Sequence, residues 1–176
     1  MDQPDLKATQ EPNHQGEFHG LVAVVTGAAQ GIGRAIAQEL HARGARLLLL
    51  DRNALALAET AADLRSSGNP AIDILVADLE HPAAIDAISQ QLARRATRID
   101  ILVNNAGIEF DVPFAEVTSA LFDRVIAVNL RAPLLLTQAL ASLFPPPAAP
   151  SSTSAPSTPA TPFSTPSPTP APRLVS

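Results

Sequence analysis

The chain has 176 residues, 46% of them hydrophobic, a formal net charge of −5 and no cysteine. The acidic balance gives no electrostatic reason to expect nucleic acid, and the lack of cysteine excludes disulfides, thiolate metal ligands and a cysteine nucleophile. No stretch reaches the roughly 18 uninterrupted apolar residues of a membrane span, and the N-terminus, with Asp2, Asp5 and Glu11, has no basic region followed by an apolar one; no membrane association and a cytoplasmic location are therefore expected, with small-molecule chemistry as the leading class.

In chain order, residues 1–17 are polar and aperiodic and read as a disordered leader. Short apolar runs then alternate with helical patterns. Leu21–Val25, Leu47–Leu50, Ile72–Val76 and Ile99–Val103 are uniform enough to be strands buried on both faces. Between them, Ile32, Ile36 and Leu40 repeat at helical spacing and stop at Gly44. Leu57, Ala61 and Leu64 do the same before Gly68, and Ile85, Ile88 and Leu92 make a third face after Pro82. Strands separated by helices of this length imply right-handed crossovers, hence an α/β, doubly wound parallel sheet in the order 3-2-1-4. A fourth helix is predicted to start near Thr118 or Ser119, to be interrupted near Asn129 and Pro133, and to resume over Leu134–Leu143.

Composition then changes. Six of the 17 prolines lie in residues 1–144 and eleven in residues 145–176. In the latter only Phe163, Leu174 and Val175 are sizeable apolar groups, too few to offset ordering entropy, so this Pro/Ser/Thr-rich tail is expected to be disordered or polyproline-like. The expected organisation is a leader over 1–17, a partial Rossmann-like domain over 18–144, truncated after about four strands, and a tail over 145–176.

The chemistry-bearing residues sit where strands end. Thr26-Gly-Ala-Ala-Gln-Gly-Ile-Gly33 follows the first strand and opens the first helix, the context in which a glycine loop binds phosphate. Gly27 permits the tight turn, Gly31 the close approach of a pyrophosphate and Gly33 close helix packing, with Gln30 and Ile32 beside the anion at the helix start. Asp51 ends the second strand some twenty residues on, where a carboxylate can accept hydrogen bonds from ribose hydroxyls and repel a 2′-phosphate. That favours NAD over NADP, whereas the adjacent Arg52 could pair with such a phosphate. His41 and His81 show no partner pattern and are read as solvated, Arg94, Arg95 and Arg98 fit a charged helix end, and no metal site is indicated.

Thr26–Gly33 resembles the TGxxxGxG loop of the short-chain dehydrogenases/reductases, and Asn104-Asn105-Ala106-Gly107, directly after the fourth strand, resembles their NNAG motif. Asp78-Leu79 is similar to the family's adenine-contacting pair, and Val128-Asn129-Leu130 to its helix motif with a catalytic-network asparagine. The resemblance covers about Phe18 to Phe144. It implies that Asn105, Ala106, Gly107 and Val128 line a dinucleotide cleft, that Asn129 belongs to the catalytic network, and that the intact family form is a homo-oligomer interconverting a small alcohol and a carbonyl by hydride transfer.

It also implies a tyrosine, a lysine four residues later and a substrate-binding serine in a second half. The chain contains no tyrosine, and its charged side chains after Phe144 reduce to Arg173. Loss of the ~10²–10⁴-fold general-acid term is therefore the minimum expectation, and the chain reads as catalytically defective. Pro, Ala, Thr and most Ser codons share a central C, so regrouping each third base with the next two, from Pro147 on, permits Gly-Gly over Ala148 and Ala149 and Ser-Ile-Val-Asn-Ile-Ser-Ser over Pro150 to Pro156. The same frame permits a tyrosine over Thr169 and, if Arg173 is AGA or AGG, a lysine over Arg173. That register resembles the family's serine, tyrosine and lysine, and suggests a frameshift near residues 144–147. The alternative is a non-enzymatic dinucleotide-binding module whose PxxP-containing tail recruits a partner. A glycosylated stalk would need secretion, which the N-terminus does not support. Loss of the second half should leave the Ile99–Val103 edge open and Leu135, Leu136, Leu140 and Leu143 exposed, making the chain insoluble, molten or partner-dependent.

Overall fold

The computed structural model describes residues 16–66 and 71–146. The leader over residues 1–15 and the tail from residue 147 lie outside the described residues. The compact unit ends at Pro145. Described order begins slightly earlier than the composition suggested. Gly16 and Glu17 belong to a turn in which His19 N donates to Gly16 O at 3.0 Å, and Arg43 reaches back to Glu17 at 2.9 Å.

Four strands, β1 (Val22–Thr26), β2 (Arg46–Asp51), β3 (Ile72–Val76) and β4 (Ile101–Val103), form one sheet in the order β3-β2-β1-β4. Every pairing is parallel, with Val24 level with Leu48 on one side and Leu102 on the other. Helices α1 (Gly31–Ala42), α2 (Ala54–Arg65) and α3 (Pro82–Arg95) make the crossovers. Because a strand's side chains alternate, the apolar runs supply two cores. Ala23, Val25, Leu47 and Leu49 pack with Ala37 and Leu40 of α1 and Leu57, Ala61 and Leu64 of α2. Val24, Leu48, Leu50 and Leu75 face the other way, onto Ile85, Ile88 and Leu92 of α3. The doubly wound sheet is thus present as expected.

The fourth helical region departs from the sequence expectation in an informative way. Helix α4 (Ser119–Ile126) starts from a cap in which the Thr118 side chain accepts from Leu121 N. It runs into a π turn over Ala127–Arg131 and on into α5 (Ala132–Ala139) without a gap. Ala132 N donates five residues back to Ala127 O, and the next residue, Pro133, has no N–H to give. A proline ring would clash with the carbonyl four residues back in a regular helix; the wider turn relieves this, so the helix swells where interruption was predicted. Helix α5 also ends before Leu143, because Leu140 leaves helical geometry and a 3₁₀ turn over Ala141–Leu143 follows.

The leucines expected to be stranded are not. Leu136 and Leu140 are fully buried beside Val24, Leu48 and Ile99, with Leu135 and Leu143 packed half-buried on the same cluster. The large apolar groups that α4, the π turn and α5 leave exposed are Phe122, Leu130 and Leu134. Ile99 is correspondingly outside the ladder: its N–H donates to Leu143 O at 2.9 Å, and β4 starts two residues later than predicted because Ile99 bonds to the turn that follows α5.

His41 is a second correction. It is buried at the end of α1, with Nε2 3.0 Å from Leu64 O at the end of α2, whereas His81 is exposed. The outer strand β3 turns the carbonyls of Ile72 and Ile74 away from β2, and arginines meet both: Arg65 Nη2 at 2.7 Å and Arg95 Nη1 at 3.0 Å.

Candidate functional site

In a parallel sheet with crossovers on both faces, the loops at the strands' C-terminal ends converge beside the point where strand order reverses, here between β1 and β4. A cleft of about 330 Å³ opens there. Its walls are Gly27, Gln30, Gly31 and Ile32 after β1, Leu50, Asp51 and Arg52 at β2, Ala77, Asp78 and Leu79 after β3, Asn105, Ala106, Gly107 and Ile108 after β4, and Val128 from the π turn. Of the residues singled out in the sequence for binding, Gly33 is the one that does not line it. Its part is played behind the wall. A β-carbon built on Gly33 would lie within 3.0 Å of the Gly27 carbonyl oxygen and the Asn105 side-chain nitrogen, so only glycine lets α1 start this close to the loop. Gly31, at φ +55°, has open space where its β-carbon would point.

The wall is held by bonds between distant residues. Thr26 Oγ1 donates to Val103 O at 3.2 Å and accepts from Asn105 N at 3.1 Å and Ala106 N at 3.0 Å. Asn105 Nδ2 returns two bonds, to Thr26 O at 3.1 Å and Gly27 O at 3.2 Å. The glycine loop and the Asn104–Gly107 segment are therefore one unit. Asn129, widened outward by the π turn, pairs reciprocally with Ile108: Ile108 N donates to Oδ1, and Nδ2 donates to Ile108 O, both at 2.9 Å. Here its role is to fix the main chain of the cleft wall.

Asp51 is half-buried with each carboxylate oxygen already fixed by one main-chain donor. Ala29 N donates to Oδ2 at 3.0 Å and Asn53 N to Oδ1 at 2.9 Å. A carboxylate oxygen has two lone-pair directions, so one remains on each for a ligand hydroxyl. Arg52 stands exposed at the mouth. Sequence reasoning missed Thr60, which is fully buried and donates to Ala29 O at 3.0 Å. The signal was a lone hydroxyl on the otherwise apolar α2 face of Leu57, Ala61 and Leu64. Thr60→Val, which keeps the volume and orphans that carbonyl, is expected to cost about 1–3 kcal/mol in denaturant melts, with Thr60→Ser recovering part.

Helix α1 presents its N-terminus to this cleft uncapped. Gln30 makes no side-chain cap and the first turn carries no acidic residue; α3 likewise lacks a side-chain cap, whereas α2 is capped by Asn53 and α4 by Thr118. Orphan N–H groups and the positive end of the helix dipole suit an anion, and the open Gly31 leaves room for one. Ile32, three-quarters exposed at the rim, adds apolar surface for a ligand to cover. Phosphate, ribose and apolar ring surface are thus each matched by residues present. Among the described residues no group of histidine, aspartate or glutamate is arranged to hold a metal ion, and no helix is long and apolar enough to cross a membrane.

Known proteins share both sequence and fold. The short chain dehydrogenase family model matches residues 21–149. A hexahydro-1H-indene-carboxyl-CoA reductase of Mycobacterium tuberculosis is 37% identical over 138 residues, covering 78% of this chain and 53% of that protein. Sorbitol dehydrogenase of Cereibacter sphaeroides is 38% identical over 122 residues, covering 69% and 46%. A metagenomic short-chain oxidoreductase solved in complex with NADP superposes with a TM-score of 0.67 at 41% identity, covering 70% of this chain and 56% of that one. The chain spans about half the length of the curated relatives it matches. Matched over most of its length, this chain belongs to the short-chain dehydrogenases.

Proposed function

We propose that the cleft binds a nicotinamide adenine dinucleotide, and that the 176-residue chain is the dinucleotide-binding half of an oxidoreductase without the residues that would complete the reaction. The observation that carries this is the uncapped α1 N-terminus facing a cleft whose other walls offer Asp51, Asp78-Leu79 and the Asn105–Ile108 main chain. When bound, the dinucleotide supplies hydride-transfer chemistry. The chain's own contribution is to hold the pyrophosphate at Gly31 and Ile32, accept the adenosine ribose hydroxyls at Asp51, enclose the adenine beside Asp78 and Leu79, and keep the Asn105–Ile108 wall in place through Thr26 and Asn129.

Family membership and the NADP-bound relative support the dinucleotide class. Between its two forms, the fixed Asp51 carboxylate argues for NAD, since a 2′-phosphate would sit against a negative charge that two main-chain bonds prevent from swinging away. Arg52, exposed beside it, offsets part of this. Asp51→Asn keeps the shape and removes the charge. Calorimetric titration should show NAD binding more tightly than NADP to the native sequence and the ratio moving roughly ten-fold toward NADP in the variant. Tighter NADP binding by the native sequence would reverse the assignment.

The proton-transfer apparatus is the missing part. Tyrosine is absent from all 176 residues, and the one lysine, Lys7, precedes the domain. Residues 145–176 are proposed to derive from a shifted reading frame, which sequencing the gene tests directly. An alternative frame without a serine strand and a tyrosine–lysine pair rules it out.

A further inference from the structure

The adenine-side wall, Asp78-Leu79, is followed by a residue whose polar groups are all engaged. Glu80 N donates to Asp78 Oδ1 at 2.9 Å. Its carboxylate Oε1 accepts from Arg124 Nε at 2.9 Å, and its carbonyl accepts from Arg131 Nη2 at 3.1 Å. Glu80 thus fastens the loop after β3 to α4 and the π turn. The same Arg124 lies over the ring of Phe110, with its guanidinium carbon 5.0 Å from the ring centroid. Phe110 belongs to the loop after β4, two residues beyond Ile108, which Asn129 holds. One helical segment therefore grips both walls of the cleft, and Arg124 is the side chain that touches the two at once.

An ion pair with side chains 41% and 22% exposed contributes little to overall stability. Its value lies in geometry, because the guanidinium plane fixes direction toward both the carboxylate and the aromatic face. We infer that Arg124 is a positioning residue that sets the separation of the Asp78–Glu80 and Ile108–Phe110 walls, and through it the affinity of the cleft for the adenosine end of a dinucleotide. The inference rests on the dinucleotide-binding reading above. The walls themselves meet the ligand; Arg124 acts through Glu80 and Phe110.

The experiment uses the full 176-residue chain, NADH as the fluorescent probe, the variants Arg124→Met, Glu80→Gln, their double, and Arg124→Lys. Arg124→Met is expected to weaken NADH binding about five-fold or more. The double variant should bind no more weakly than the worse single one, as for two residues acting as a unit, and Arg124→Lys should recover part of the loss. Melting temperatures should stay within about 2 °C, whereas a merely structural role would lower them while leaving affinity well below the melt unchanged. Native-like affinity in a folded Arg124→Met chain overturns the inference, as does strict additivity. Should the native chain fail to bind NADH, the dinucleotide reading falls, and the brace is decided by amide exchange without ligand. Faster exchange of the 78–80 and 108–110 amides together in Arg124→Met supports it, and unchanged exchange in either segment refutes it.

Discussion

Gly33→Ala should abolish dinucleotide binding and lower stability, although alanine is the better helix former by about 0.8–1 kcal/mol. The sign follows from what the added methyl meets. The nearest atoms are the Gly27 carbonyl oxygen and the Asn105 side-chain nitrogen Nδ2, and both are committed: Nδ2 donates to Gly27 O and also to Thr26 O. Neither can yield as a flexible side-chain tip would. Overpacking of this kind costs roughly 1–3 kcal/mol and outweighs the propensity gain. Relief would come from moving α1 away from the loop, which displaces the N–H groups offered to the pyrophosphate. Calorimetry should show at least a hundred-fold loss of affinity, and denaturant titration a net destabilisation. A variant that melts higher and still binds would mean that α1 is not seated as described.

The second large effect concerns turnover. With NAD and a panel of secondary alcohols and ketones, the 176-residue chain should be slower by ~10²–10⁴-fold or more than a version in which the alternative frame is restored from residue 147, because only the latter could supply a positioned proton donor. Both proteins share residues 16–146 and so the described walls of the cleft, and turnover compared at saturating NAD separates the missing residues' effect from a difference in cofactor affinity. Equal activity in the two, with contaminating dehydrogenases removed, would contradict the proposal that the reaction needs residues this chain lacks.

The elements most legible in the sequence were those written as local pattern. Apolar runs of four or five residues, helical spacing such as Ile85, Ile88 and Leu92, and a glycine loop between strand and helix are readable without knowing what touches what. They led to the strand order and the cleft walls together, since a doubly wound sheet leaves one place for those loops to meet. What escaped was nonlocal. The bonds from Asn105 and Ala106 to Thr26 span 79 and 80 residues, and no spacing rule announces them. His41 looked like a surface residue until α2 ended beside it. The fate of Leu136 and Leu140 turned on the helix not breaking at Pro133, which in turn depended on one extra residue absorbed by the π turn. Burial of those leucines removes much of the reason to expect a molten chain, leaving the outer edge of β4, unpaired among the described residues, as the liability.

The two ends of the sheet differ in what they allow. On β3, Arg65 and Arg95 occupy the outward carbonyls of Ile72 and Ile74, so a foreign strand arriving there must first displace two charged donors. Among the described residues β4 has no such guard. An assembly that grows by strand addition needs two competent ends, one to receive and one to offer. With a single competent end, two copies can join β4 to β4 and then stop, since each presents only a guarded face beyond the junction. The arginines on β3 would then act as chain terminators, so edge pairing of the described strands is expected to give closed pairs rather than open, head-to-tail filaments, which sedimentation velocity checks.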